Sequence, residues 1–281
     1  MMAEAVQGGS LYLDFACAAS GVTELVGRSQ RFPLHVTSAL RLDPAAPNMA
    51  FVYLQNPSGG VFEADRLAID LHLRRNASVH VSTPSATKLF GAKGGVSAHQ
   101  RMTIDMQTGA YLEYIPDALI PLRLACYEQH TLLRMATGAR AILTEIVACG
   151  RFAAGEAFAY SRLYVRTEVE IDGVPTCRDA FELTPQTMPL AGPGLFGEHR
   201  FVATVLVLCP GTLPAGLDGR IDDAIRSLGD VYGAASLLPR ESGVIARALA
   251  ATPSAARSAV NCAWEEARRS LLGHPLPPTR K

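Results

Sequence analysis

Apolar residues recur at every second position through most of this chain, from residue 10 to about 210. In the stretch RLAIDLHL, Leu67, Ile69, Leu71 and Leu73 alternate with Ala, Asp and His. A period of two indicates a β-strand with one buried face, because successive side chains of a strand point to opposite sides of the sheet. SLYLDF, SVHVST, RMTIDM, ARAILTEIVAC and FVATVLVLC are also predicted strands. The pattern therefore predicts a mainly β protein of many short strands.

RLYVRTEVEIDGV keeps the alternation up to Asp172-Gly173, a pair that favours a tight hairpin because both turn positions need positive φ.

Helical spacing is found only near the end of the chain. LDGRIDDAIRSLGDVYG is a predicted helix that ends at a glycine, and TPSAARSAVNCAWEEARRSLLG is another, with Thr252 as N-cap and an end at Gly273. The chain contains no repeat of fixed period and no low-complexity linker. We expect a single domain over 1–281, with a β-rich body at about 10–210 and an α-containing part at about 211–281.

Charge and composition exclude several classes of partner. The chain carries 26 basic and 26 acidic residues, so it has no net positive field for nucleic acid or an anionic membrane. Charged residues make up only 19% of the sequence, which favours a surface partly covered by protein partners. The six cysteines are far apart and no apolar run approaches the length of a membrane span. These features predict reduced thiols and a cytoplasmic protein.

The glycine-rich stretches do not fit a nucleotide-binding motif. AGPGLFGEH has the GxGxxG spacing, but a proline interrupts it and a strand follows where a helix is required. NPSGGVFEADRL lacks the GK[ST] ending of a phosphate-binding loop, and GAKGGVS lacks the spacing of one. The chain also has no HExxH, CxxC or GxSxG sequence, and its seven histidines are scattered. A pre-formed zinc or nucleotide site is not expected.

Three acidic residues stand in apolar surroundings. Glu145 lies in AILTEIVACG, where both faces of the strand are apolar, and Glu113 and Glu156 are flanked by aromatic or apolar residues. A buried carboxylate must be paired, hydrated or bound to a cation. Each acid could form its own ion pair, Glu145 with Arg151 for example, or several could line one polar path through the interior. The residues alone leave both interpretations open.

Six stretches, read in order along the chain, resemble the successive elements of one known protein family. The opening GSLYLDFACAASGVTELVGRSQRFPLHV is similar to the family's N-terminal strand pair, and NPSGGVFEADRLAIDLHL to its Pro-x-Gly-Gly-x-x-x-Gly-Asp segment. STPSATKLFG, YLEYIPDALIPL, EIVACGRFAAGEAF and LLGHPLPP resemble four further family elements in the same order. Glu63-Ala64 stands where the family usually has two glycines. The family that these stretches resemble is the urease accessory protein UreD (UreH) family, and the resemblance covers nearly the whole chain.

This resemblance implies a non-enzymatic scaffold with stacked β-sheets in a solenoid-like arrangement and few helices, mostly C-terminal. Family members bind the helical accessory protein UreF and, through it, the GTPase UreG, and they contact apo-urease. A dimer of such heteromers is expected. Nickel released by the GTPase is expected to pass through an internal water-filled tunnel to the urease active site. No tightly bound cofactor is implied.

Matching the family residue by residue places Asp65, Glu145 and Glu156 at its acidic positions, and we add Glu113 because its surroundings are apolar. Isolated carboxylates and water bind nickel weakly, whereas clustered imidazoles and thiolates would retain it. The four acids are therefore candidate weak ligands along a tunnel. Two alternatives remain at this point: a β-solenoid carbohydrate-active enzyme with a carboxylate pair, and a structural scaffold without a metal role.

Overall fold

The computed structural model describes residues 8–278, which form 18 strands and two α-helices. The helices are α1 (Leu217–Arg226) and α2 (Pro253–Leu272). The strands are β1 (Gly8–Cys17), β2 (Thr23–Arg31), β3 (Ala50–Tyr53), β4 (Arg66–Leu73), β5 (Ser78–Ser82), β6 (Thr87–Leu89), β7 (Ala98–Met106), β8 (Tyr111–Ile115), β9 (Leu119–Pro121), β10 (Cys126–Met135), β11 (Arg140–Ala148), β12 (Gly150–Arg151), β13 (Glu156–Ala157), β14 (Arg162–Ile171), β15 (Val174–Leu183), β16 (Phe201–Leu208), β17 (Val231–Leu237) and β18 (Gly243–Ala250).

The chain winds into a coil whose successive turns form two large sheets. A seven-stranded sheet has the order β15-β14-β10-β7-β4-β1-β2, and a nine-stranded sheet has the order β17-β18-β16-β11-β8-β5-β3, with β6 and β9 beside it. Five strands of the first sheet and four of the second run parallel to their neighbours, because each turn of the coil adds one strand to each sheet. About four such turns make a solenoid-like arrangement. The mainly β, stacked-sheet fold predicted from the sequence is confirmed.

In-register pairing stacks like residues into ladders between the sheets. Leu13, Leu71, Ile104, Leu133 and Val169 lie opposite one another on the inner face of the seven-stranded sheet. All five are buried. This ladder is the direct result of the period-two pattern, since a shift of one residue in any strand would turn its apolar set toward solvent.

Local signals in the sequence match the structure closely. Strand β4 is the stretch RLAIDLHL, and its burial alternates residue by residue. Asp172 and Gly173 have φ of 50° and 77° and join β14 to β15 as a hairpin. Thr252 caps α2 by accepting the Ala255 N–H at 3.1 Å, and Gly273, with φ of 74°, ends it.

The C-terminal part contains two strands that the sequence did not predict. Strands β17 and β18 follow α1 and extend the nine-stranded sheet through β16. Both helices pack on the outer face of that sheet, which is therefore buried on both sides. Neither helix of the described residues is long and apolar enough to cross a membrane.

Candidate functional site

A cavity of about 130 Å³ lies between the two sheets. Its rim is the loop Asn56–Gly60 from NPSGGVFEADRL, together with residues 83–87. The side chain of Asn56 closes this loop on itself by donating to the Gly60 carbonyl at 2.8 Å. Gly60 must be glycine here, because a Cβ would lie 2.4 Å from the Lys88 carbonyl oxygen. The glycines of this motif thus shape the cavity entrance.

A second cavity of about 30 Å³ continues the first and shares with it Tyr114, Gln129, Thr144 and Glu145. Together the two cavities expose polar side chains inside an otherwise apolar core. We call this set the polar seam: Gln100, Gln129, Thr131, Thr167 and Asp179 on the seven-stranded sheet, and Tyr114, Glu145, Thr204 and Arg247 on the nine-stranded sheet.

Cross-strand register explains why these residues meet. Thr131 pairs with Thr167, and Thr167 with Asp179, so they form one row across the first sheet. Glu145 pairs with Thr204, and Thr204 with Arg247, in a row across the second sheet. The two polar rows lie along the same seam between the sheets.

Glu145 is the acid at the centre of the polar seam. Gln129 donates its side-chain N–H to Glu145 Oε2 at 2.9 Å. Burial, aided by the charge of Asp179, raises the pKa of the Glu145 carboxyl to about 7 against the opposing effects of Arg247 and Gln129. The expected ion pair with Arg151 does not form, because Arg151 lies beside Glu156 instead, at 3.7 Å.

The hydroxyl of Thr144, next to Glu145, is buried and has no hydrogen-bond partner within residues 8–278. Buried polar groups without a protein partner are normally satisfied by water or an ion. Thr144 shares its face of β11 with Ile142 and Ile146, which pack toward the helices, so this hydroxyl points away from the carboxylate of Glu145. The seam itself has the space and the polar side chains that a hydrated path requires.

Glu113 lies on the other side of the nine-stranded sheet, under α2. Its two oxygens accept bonds from Arg268 Nη1 at 2.5 and 2.7 Å, and further bonds come from His80 Nδ1 and the Tyr111 hydroxyl, each at 2.8 Å. Arg268, itself fully buried, also pairs with Asp43. Neighbouring residues of a strand face opposite ways, so Tyr114 lines the cavity while Glu113 anchors the helix.

Asp65 and Glu156 lie apart from the polar seam. Asp65 directly precedes β4, and its carboxylate accepts the Phe62 N–H at 2.8 Å within its own turn. Glu156 lies at the short β12–β13 pairing, 3.3 Å from Arg123 Nε. The structure thus brings none of the four acids proposed from the sequence together, and among them Glu145 lines the cavity.

Sequence reasoning missed Gln129, Asp179, Thr204 and Arg247. The available signal was a single polar residue within an otherwise apolar strand, such as Thr204 in FVATVLVLC. Within residues 8–278, no three His, Cys, Asp or Glu side chains lie close enough together to hold a metal ion.

The seam meets a wide groove at the far edge of the nine-stranded sheet. This outer groove has a volume of about 820 Å³ and is lined by Arg247 and by apolar residues that include Phe181, Leu195 and Tyr232. Tyr232 is 74% exposed on the edge strand β17. An interior polar path and an exposed apolar groove therefore adjoin at Arg247.

Comparison with known proteins agrees with the resemblance seen in the sequence. The model of the UreD urease accessory protein family matches residues 7–281. The urease accessory protein UreD 2 of Streptomyces griseus is 34% identical over 275 residues, covering 96% of this chain and 92% of that protein. The UreD of Haloarcula marismortui is 33% identical over 273 residues, covering 97% and 90%, and that of Mycolicibacterium gilvum is 32% identical over 273 residues, covering 97% and 98%. The chain therefore belongs to the UreD family of urease accessory proteins, which act in urease maturation and are not enzymes.

Proposed function

We propose that this chain conducts nickel ions, as cargo, through the polar seam toward apo-urease. The observation that carries the proposal is the seam itself, an interior polar path centred on Glu145 within an apolar core between the two sheets. Family membership contradicts the carbohydrate-active alternative, because urease accessory proteins are not enzymes. A scaffold without a metal role remains the competing hypothesis, and the test below separates the two.

The chemistry of the seam suits transit of a divalent cation. Its side chains offer carboxylate, amide and hydroxyl oxygens, which replace part of the hydration shell of the ion and lower the cost of entering the protein. Oxygen ligands hold nickel more weakly than imidazole or thiolate clusters do, so the ion can leave again. Glu145 and Asp179 line the smaller inner cavity, and Asp117 lines the larger one together with Glu145.

A UreF-like protein, a UreG-like GTPase and apo-urease are the proposed partners, arranged as a dimer of heteromers. Large apolar side chains on the surface support protein contacts, among them Phe32, which is 72% exposed, and Tyr232. The segment after residue 215 is a candidate UreF contact. Its deletion would be a poor test, because it would also remove β17, β18 and the buried Arg268. Substitution of Tyr232 with Ser tests the contact without that damage, and we expect weaker co-purification with the UreF-like protein.

Replacing Glu145 with Gln should lower the initial rate of urease activation at limiting nickel at least about threefold, because the amide keeps the shape but loses the charge that attracts the cation. The measurement is urease activity over time with the purified accessory complex. Glu170→Gln is the matched control, since Glu170 lies on the outer face of β14, near Arg134. If both variants and the unchanged protein activate urease equally, with intact complexes, the result would favour the hypothesis that the chain is a scaffold without a metal role.

A further inference from the structure

Asp179 and Arg247 form an ion pair where the polar seam meets the outer groove. Arg247 Nη2 lies 2.7 and 2.6 Å from the two oxygens of Asp179, and its Nε lies 3.4 Å from the hydroxyl of Thr204. Asp179 lines the inner cavity, whereas Arg247 lines the outer groove. The pair therefore lies between the two spaces, with one partner lining each.

This pair is weakly held and has room to open. The side chains of Arg247 and Asp179 are 45% and 22% exposed, and ion pairs with this access to water contribute little to stability. The cross-strand neighbours of Arg247 are Thr204 and Ala234, both small. The long arginine side chain can thus turn into the groove without displacing a bulky neighbour.

While the pair is closed, it opposes the passage of a cation in two ways. Both oxygens of Asp179 accept hydrogen bonds from Arg247, so the carboxylate is not free to replace water around an ion. The guanidinium charge at the opening also repels a divalent cation. Glu145, two strands away in the same row as Arg247, is screened from the groove by the same pair.

We propose that the Asp179–Arg247 pair is a gate for divalent cations between the outer groove and the Glu145 cavity. When Arg247 turns into the groove, Asp179 is released to accept the ion from water and pass it to Glu145. This inference rests on the proposed function, and it adds a specific point of control to the route. Arg247 acts by excluding cations and positioning Asp179, and Asp179 is the ligand.

The test measures entry of Cd²⁺ into the cavity, independently of urease. A Glu145→Cys substitution in the full chain places a thiol at the cavity centre, and the growth of cadmium–thiolate absorbance after rapid mixing reports its capture. The same chain with Glu145 intact, which has the six native cysteines, supplies the background. When added to the Glu145→Cys chain, Arg247→Gln should speed the capture of Cd²⁺ about tenfold. Asp179→Asn leaves the arginine charge unopposed and should slow this capture about tenfold.

Opposite signs are the signature of a gate, because a merely structural pair would give changes in one direction for both substitutions. Arg247→Lys retains the charge and should stay near the parent rate. Arg178→Gln is the matched control, since Arg178 precedes Asp179 on β15 but pairs with Glu168 on the outer face. If the rate of Cd²⁺ capture changes in the same direction in Arg247→Gln and Asp179→Asn, or changes in neither, the proposed gate is wrong. The proposed nickel route through the seam is not affected by that result. Normal activation by Glu145→Gln would instead overturn the route.

Discussion

Replacing Arg268 with Met should lower the free energy of unfolding by about 3–5 kcal/mol, the usual cost of removing one member of a buried ionic group. Arg268 is fully buried and is held by Glu113 and Asp43, both also buried. Without its guanidinium, two carboxylates would remain in the layer between α2 and the nine-stranded sheet with their main cation gone. Chemical denaturation followed by circular dichroism measures the effect.

Arg269→Met is the matched control, because Arg269 is the next residue of α2 but is exposed and pairs with Glu265 one turn away. Its loss should cost no more than about 0.5 kcal/mol. Adding Glu113→Gln and Asp43→Asn to Arg268→Met should recover much of the lost stability, since the buried charges are then removed together. A loss below about 1 kcal/mol for Arg268→Met would contradict the assigned role of the cluster.

The same cluster is expected to make the stability of the fold depend on pH in the acid range. Burial acts to raise the pKa of Glu113, but the bonds and charges of His80 and Arg268 and the Tyr111 bond together lower it below its ordinary value of 4.5. A carboxyl with a lowered pKa binds fewer protons in the folded state than in the unfolded state. Its contribution to stability is therefore complete above pH 4.5 and is lost as the pH falls through the lowered pKa. Arg268→Met should flatten this loss.

Much of the fold could be predicted because its determinants are local. Period-two alternation, the Asp172-Gly173 turn and the Thr252 cap each depend on a few adjacent residues. Strands β17 and β18 were missed because their sequences, VYGAASL and GVIARALA, are rich in alanine, which is depleted in strands. Strand β18 takes its place in the sheet by pairing with β16, a partner distant in sequence, and β17 then pairs with β18.

The site could be predicted only in part, because it depends on which face each acid occupies. The sequence showed that both faces of β11 are apolar, and the structure explains this, since one face meets the other sheet and the opposite face meets the helices. With both faces buried, periodicity cannot tell which one Glu145 shares with a cavity. Glu113 has equally apolar neighbours, yet it lies beneath α2 with Arg268, a residue 155 positions away in the chain.

Glu145→Gln should raise the free energy of unfolding at pH 8 by about 1–3 kcal/mol, although the same substitution slows urease activation. The pKa of Glu145 rises from 4.5 to about 7, a difference of about 2.5 units. At about 1.4 kcal/mol per unit this corresponds to roughly 3–4 kcal/mol as an upper value, and solvent access to the carboxylate lowers the expected effect.

The sign follows from proton binding. Between pH 4.5 and 7 the folded state holds a proton on Glu145 that the unfolded state releases, so the stability of the unchanged protein falls as the pH rises through this window. A glutamine does not titrate, and the gain should therefore be present at pH 8 and absent at pH 4.5. Thermal and denaturant unfolding at both pH values measure it, with Glu170→Gln expected to stay within about 0.5 kcal/mol.

A more stable but less active variant would show that the Glu145 carboxylate is retained at the expense of folding, as expected of a residue that serves transport. An acid kept for structure behaves in the opposite way, because removing it leaves partners such as Gln129 unsatisfied and costs stability at every pH. Destabilisation of Glu145→Gln at pH 8 would therefore assign Glu145 to the architecture of the sheet sandwich. The two measurements on one variant, unfolding and activation, thus separate a conduit acid from a structural one.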